Sequence, residues 1–214
     1  MDRRTFISTT VATVMGSLVA PAANAQPVPK TKNVVLIHGL FADGSCWSEV
    51  IPRLQAKGIQ ATAVQNPLTS LQAAVEATQQ VLAWQRGPTV LVAHSFGGMI
   101  LTEAGVDPIV SAVVYVAARA PDAGEDYPAL AARFPTPPAT AGIIWSDDWG
   151  RLSEEAFLRD FAGDLPAGQG PCALCGSGSL QKDPTRRQDY SCSVADKAKL
   201  VCCVHRRSYD QPGS

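Results

Sequence analysis

Charge is scarce in this sequence and balanced where it occurs: 18 Lys and Arg stand against 19 Asp and Glu in 214 residues, a net of −1. No basic stripe interleaves with aromatics, which argues against a nucleic-acid partner. Histidine is rarer still, with three in the chain, so chemistry that needs an imidazole has three places to find one. No apolar run is long enough for a stable membrane anchor. The best, Val11 to Val19, is short and interrupted, against about 20 residues for a spanning helix. Residues 168–214 contain no Ile, Met, Phe, Trp or Glu. Such a stretch has little to bury, so neither a strand of useful length nor an amphipathic helix can be drawn there. The length suits one domain with a full core. Nothing in the pattern fixes an oligomeric state.

The N-terminus reads as an address. Arg3-Arg4 is followed by Phe6-Ile7, a short apolar stretch, and the small-residue site Ala23-Asn24-Ala25. Charge, apolar core and cleavage site come in the order an export signal requires. Residues 1–25 are expected to be a twin-arginine-type signal peptide. The mature chain would then begin at Gln26 and lie in the periplasm or be secreted.

The chemistry-bearing segment is Thr89-Val90-Leu91-Val92-Ala93-His94-Ser95-Phe96-Gly97-Gly98. An apolar run of strand character ends in a serine flanked by small residues, and a helical segment from Met99 follows at once. This is a nucleophile elbow, G-x-S-x-G in form, with Ala93 in place of the first glycine. The serine must sit on a sharp, strained turn for its hydroxyl to project above the sheet edge. Side chains two residues to either side would collide there, so Ala93 and Gly97 are small. The helix start aims the Phe96 N–H at a developing oxyanion. A second apolar strand, Asn33 to Ile37, ends in His38-Gly39-Leu40-Phe41. Such a turn supplies the other oxyanion N–H, from Leu40 or Phe41.

With Asp43-Gly44-Ser45-Cys46-Trp47 and Pro52-x-Leu54, these two motifs resemble the α/β-hydrolase superfamily, and more closely its small methylesterase and hydroxynitrile-lyase-like branch. Ala112 to Ala118 with Pro121-Asp122 is similar to that branch's next strand and its exit into a cap. The resemblance covers about residues 33–166. It implies a doubly wound, mostly parallel α/β sheet with a small cap, and a cofactor-free serine hydrolase acting on a small ester.

Coarse patterning agrees. Strands are expected at Val34–His38, Ile59–Gln65, Val90–Ala93 and Val110–Ala117. Helices are expected at Ser45–Lys57 with Ser45 as N-cap, at Ser70–Trp84, and from the elbow to about Val106. Regular alternation of apolar strands with helices means a parallel sheet covered on both faces. The core is thus 26–120. Residues 121–166 change character, with Pro135, Pro137 and Pro138, then Trp145 to Trp149, then a short helix Ser153–Phe161. They are expected to form a cap whose tryptophans shield an apolar pocket.

Residues 167–214 read as an aberrant, disordered tail that leaves the sheet incomplete. Five of the chain's six cysteines lie here, Cys172, Cys175, Cys192, Cys202 and Cys203. The resemblance implies two more strands, the triad acid and the triad histidine in this region. His38 and His94 read as structural or pocket-lining, like Gly39, which leaves His205 as the formal base. It has no closing helix after it. Asp196 is too near His205 to come from a separate strand end. Asp122 is well placed for an acid, but in the related branch that Asp opens the cap. A zinc site on the cysteines lacks a repeated ligand spacing, so no metal is expected, and a disulfide-stapled tail is the other reading. Back-translated with G/C-rich codons and read from the second base, Arg186 to Cys203 becomes A-G-K-T-T-A-A-A-W-R-T-K-P-S-W-Y-A-V. That string ends as the strand expected before the triad acid. The leading reading is a one-base frameshift near Gly168–Gly170, giving a family hydrolase that is weak or inactive. The rivals are a non-catalytic apolar-ligand-binding protein and a cofactor-free lyase or perhydrolase on the same fold.

Overall fold

The computed structural model describes residues 31–122, 125, 127–166, 180–181 and 198–202, the last two segments as backbone. Strand β1 (Asn33–Ile37) is buried at every position. Val34 and Leu36 pack with Trp47 on one face of the sheet, and Val35 and Ile37 pack with Leu91 and Met99 on the other. A strand covered on both faces needs apolar side chains at consecutive positions, which is why Val-Val-Leu-Ile does not alternate with polar residues.

The cover on the Val34 side comes from α1 (Val50–Gln55), through Val50, Ile51 and Leu54. The opposite face is covered by α2 (Leu71–Ala83) and α3 (Gly97–Ala104). Ser70 caps α2 by accepting from the Ala73 N–H at 3.1 Å. The single helix expected over Ser45–Lys57 is instead a 3-10 turn at Gly44–Trp47 followed by α1. Its cap is Asp43, whose Oδ1 accepts from the Ser45 N–H at 2.7 Å. Pro52 explains the break. Its missing N–H is harmless in the first turn of α1, but a helix running back through Ser48 would bring the ring against that carbonyl.

The remaining strands are β2 (Gln60–Ala63), β3 (Thr89–His94) and β4 (Val110–Val116). With a further strand, β8 (Ala198–Cys202), they form one parallel sheet in the order β2-β1-β3-β4-β8. From β1 the chain moves outward to β2, then crosses back to β3 on β1's other side. The loops leaving β1 and β3 therefore part in opposite directions, and a crevice opens above their C-terminal ends.

Strand β8 corrects the expectation that no strand lies in the tail. It pairs with β4 from Ala112↔Ala198 to Val116↔Cys202. The exposed N–H and C=O row of β4 accepts any extended segment whose backbone can reach it, so edge pairing decides here rather than composition. Among the described residues one strand, not two, follows β4 in this sheet.

The segment after β4 holds α4 (Tyr127–Ala131), a hairpin of β5 (Ile143–Ser146) and β6 (Trp149–Leu152), and α5 (Glu154–Ala156) running into a π-turn at Phe157–Phe161. A two-residue strand, β7 (Leu180–Gln181), pairs with β6. This unit has its own small core of Leu152, Ala156, Phe157 and Ala162. The tryptophans do not form that core. Trp145 and Trp149 are 47% and 43% exposed. Trp145 lies across its cross-strand partner Gly150, where an added Cβ would meet the indole ring at 2.9 Å. The absent side chain at Gly150 gives the indole a seat on the hairpin itself.

Candidate active site

Strand β3 ends at His94, and Ser95 follows with φ of +54°. A non-glycine residue in the left-handed region costs about 1–2 kcal/mol, so the surrounding contacts must hold it. They are backbone contacts. The Ser95 carbonyl accepts from the Gly98 N–H at 3.1 Å and from the Arg119 N–H at 3.2 Å. A Cβ on Gly97 would lie 2.9 Å from the His38 carbonyl and 3.0 Å from that of Ile37, so the small residue expected there is a requirement. A Cβ on Gly98 would strike the Arg119 carbonyl. Farther along α3, Thr102 Oγ1 donates to the Gly98 carbonyl at 3.0 Å and sits 2.8 Å from the Tyr115 hydroxyl. With its one proton given to Gly98, Thr102 accepts from Tyr115. Burial pushes the Tyr115 pKa up, so the phenol stays a neutral donor.

The turn after β1 lies directly on the serine. A Cβ on Gly39 would be 2.8 Å from Ser95 Cβ and 3.3 Å from its Oγ. The next two residues point to different cores. Leu40 packs against the sheet core, while Phe41, at φ +59°, packs against the cap core of Leu152 and Phe157. The turn after β1 thus joins the unit that follows β4 to the sheet. Phe96 is the residue at the N-terminal cap of α3, beside Ser95.

His38 is 1% exposed. The Asn66 N–H points at its Nε2 at 2.9 Å, and its Nδ1 lies 2.9 Å from the Gly39 carbonyl. Facing a donor, Nε2 must accept, so Nδ1 carries the proton and donates to Gly39. Burial holds its pKa below 6.5. With both ring nitrogens engaged, His38 is structural. His94 is likewise held below its usual pKa by burial.

Asn66 is the site residue that sequence reading missed. It is buried in the loop leaving β2, and its Nδ2 donates to the His38 carbonyl at 3.3 Å. Beside it, Gln65 Oε1 accepts from the Gly44 N–H at 3.1 Å. Two consecutive amides leaving a strand that flanks the crevice were the available signal.

Ser95, Phe96, His38, Gly39, Leu40 and Phe41 are therefore brought together at the ends of β1 and β3. Asp122 is exposed, and its N–H donates to Glu125 Oε2 at 2.9 Å in the turn after β4. His205, Asp196 and Cys172, Cys175, Cys192 and Cys203 lie outside the described residues. Among the described residues no three His, Cys, Asp or Glu side chains cluster as a metal site requires.

The fold is similar to that of several solved enzymes. Polyneuridine aldehyde esterase superposes with a TM-score of 0.66 at 18% identity, covering 80% of this chain and 79% of that one. A pyrethroid hydrolase from Sphingobium faniae JZ-2 gives 0.60 at 21%, over 73% and 71%. A single-site mutant of tomato methylketone synthase I gives 0.59 at 16%, over 72% and 69%. No curated protein matches the sequence. The family model described as the alpha/beta hydrolase family matches residues 34–206, running past residue 166, where the sequence motifs stop. The chain belongs to the alpha/beta hydrolase family.

Proposed function

We propose that this chain is an esterase-type serine hydrolase of the methylesterase-like branch, in which Ser95 attacks the carbonyl of a small ester. The observation that carries the reading is the strained φ of +54° at Ser95 with the Gly39 turn in contact with it. The tetrahedral oxyanion would be held by the Phe96 N–H and by the N–H of Leu40 or Phe41. The esterase and hydrolase names of two structural neighbours support a carboxylic ester as substrate.

The proton relay is the weak part of this machine. His38 has both nitrogens engaged in backbone bonds, and His94 lies next to the nucleophile in the same chain direction. A triad base must reach the serine hydroxyl while a carboxylate orients its other nitrogen. Neither of these two histidines meets that requirement among the described residues, and His205 lies outside them. On the reading that His205 does not serve, turnover is expected to rest on the oxyanion hole and binding, about 10³–10⁴-fold over water. The frameshift reading of the tail accounts for the loss. A one-base deletion near the Gly168 codon should then yield a soluble protein with much higher activity.

Short-chain aryl esters assayed with the frame-restored protein and with its Ser95→Ala variant test the nucleophile, since residual turnover without a base does not depend on the serine. Equal enzyme-dependent turnover in both would remove Ser95 from the mechanism. Labelling of Ser95 by a fluorophosphonate in that frame-restored protein separates a hydrolase from a pure ligand-binding protein, since labelling requires an activated hydroxyl. Export is tested by replacing Arg3 and Arg4 with lysine. Unchanged export would rule out the twin-arginine route.

A further inference from the structure

We propose that Asn66 is a positioning residue that sets the oxyanion turn through His38, an inference that rests on the Ser95 reading above. The latch has three links. The Asn66 N–H meets His38 Nε2 at 2.9 Å, the Asn66 side chain donates to the His38 carbonyl at 3.3 Å, and His38 Nδ1 donates to the Gly39 carbonyl at 2.9 Å.

The last link orients a backbone donor, the Leu40 N–H. The chain has no cis peptide bonds among the described residues. In a planar trans peptide the N–H points opposite to the preceding C=O. A Gly39 carbonyl pinned on the His38 ring therefore turns the Leu40 N–H away from that ring. Gly39 lies in contact with Ser95, so the orientation of this one peptide decides whether the crevice receives a donor or an acceptor. Glycine rotates between such states readily, and the latch removes that freedom.

The direction of the His38 bond depends on its tautomer, and the tautomer depends on Asn66. Only an imidazole protonated at Nδ1 can donate to Gly39, and the Asn66 N–H at Nε2 selects that form. The Asn66 amide is itself held in one sense. Its Oδ1 is buried without a hydrogen-bond partner, yet the flipped amide would set that oxygen against the His38 carbonyl. The neighbouring Gln65 bond to Gly44 ties the far end of the same loop. The loop after β2 thus clamps the oxyanion loop at both ends.

The test uses the full chain. Nitrogen-15 spectra of the histidines should show His38 protonated at Nδ1 and bare at Nε2 at neutral pH; the opposite tautomer overturns the proposal. In kinetics, His38→Gln keeps an acceptor for Asn66 but loses the donor to Gly39, and Asn66→Leu loses the side-chain donor. Both should lower kcat of the Ser95-dependent reaction, by about 10-fold to 100-fold for His38→Gln, at little change in KM. His38→Asn, whose amide nitrogen falls near the Nδ1 position, should recover most of that loss. Unchanged kcat in His38→Gln, or a change confined to KM, overturns the latch. If the wild-type protein shows no Ser95-dependent turnover, the esterase reading falls on its own. The latch is then decided by the Leu40 amide resonance, expected to move in His38→Gln and return in His38→Asn; a resonance unmoved in His38→Gln refutes it.

Discussion

Replacing Ser95 with glycine should stabilise this protein relative to replacing it with alanine, the reverse of the usual order. The argument starts from the φ of +54° at Ser95. Alanine keeps the Cβ, and with it a left-handed penalty of about 1–2 kcal/mol. Glycine removes the penalty. Against this, glycine adds freedom to the unfolded chain worth about 0.4–1 kcal/mol. The net is about 0.5–1 kcal/mol in favour of Ser95→Gly. For a domain of this size that corresponds to a melting temperature higher by roughly 1–4 °C. Ala104→Gly in α3 is the control, because a helical position should lose about 1 kcal/mol by the same change. Both pairs are measured by urea and thermal denaturation, without any need for activity. A Ser95→Gly protein less stable than Ser95→Ala would show that the elbow is not strained.

Three further outcomes follow from the same geometry. Gly39→Ala places a Cβ 3.3 Å from Ser95 Oγ and 3.1 Å from the His94 carbonyl; Ser95-dependent ester hydrolysis should fall about 100-fold, with the circular dichroism spectrum unchanged. Tyr115→Phe removes the donor to Thr102 at 2.8 Å and should lower the urea-derived stability by about 1 kcal/mol. His38 and His94 are both held below 6.5 by burial, so the unfolded chain takes up protons that the folded chain refuses. Their contribution is complete above 6.5 and is lost as pH falls from 6.5 toward the lowered values, at up to about 1.4 kcal/mol per pH unit for each histidine. Urea midpoints at pH 7.5 and 5.5 check this, and His94→Gln should shrink the difference; a difference unaltered by that change would remove His94 from the account.

The cap bears on the same chemistry. Phe41 joins the oxyanion turn to Leu152 and Phe157 while its neighbour Leu40 is held by the sheet core. Two adjacent side chains in two different cores leave the turn after β1 little independent movement.

Much of this architecture is legible in the sequence for physical reasons. A strand covered on both faces must be apolar at consecutive positions, so β1 and β3 announce themselves and their partners. The elbow is legible because a tight turn between strand and helix leaves no room for side chains, and Ala93, Gly97 and Gly98 record that exclusion locally. The Ser70 cap is equally local, since a side-chain oxygen bonds an N–H three residues away. What the sequence could not state is everything that depends on a partner far along the chain. The expected first helix starts late because Pro52 excludes the earlier turn, where the Gly44 N–H is instead bound by Gln65 from the loop after β2. The strand Ala198–Cys202 exists because β4 presents an open edge, a demand that no property of the tail reveals. Trp145 finds its seat on Gly150 across a hairpin. The role of His38 is the clearest case. A histidine before a glycine could serve as base, ligand or lining, and only the approach of Asn66, brought beside it by the parallel pairing of β1 with β2, fixes which nitrogen holds the proton.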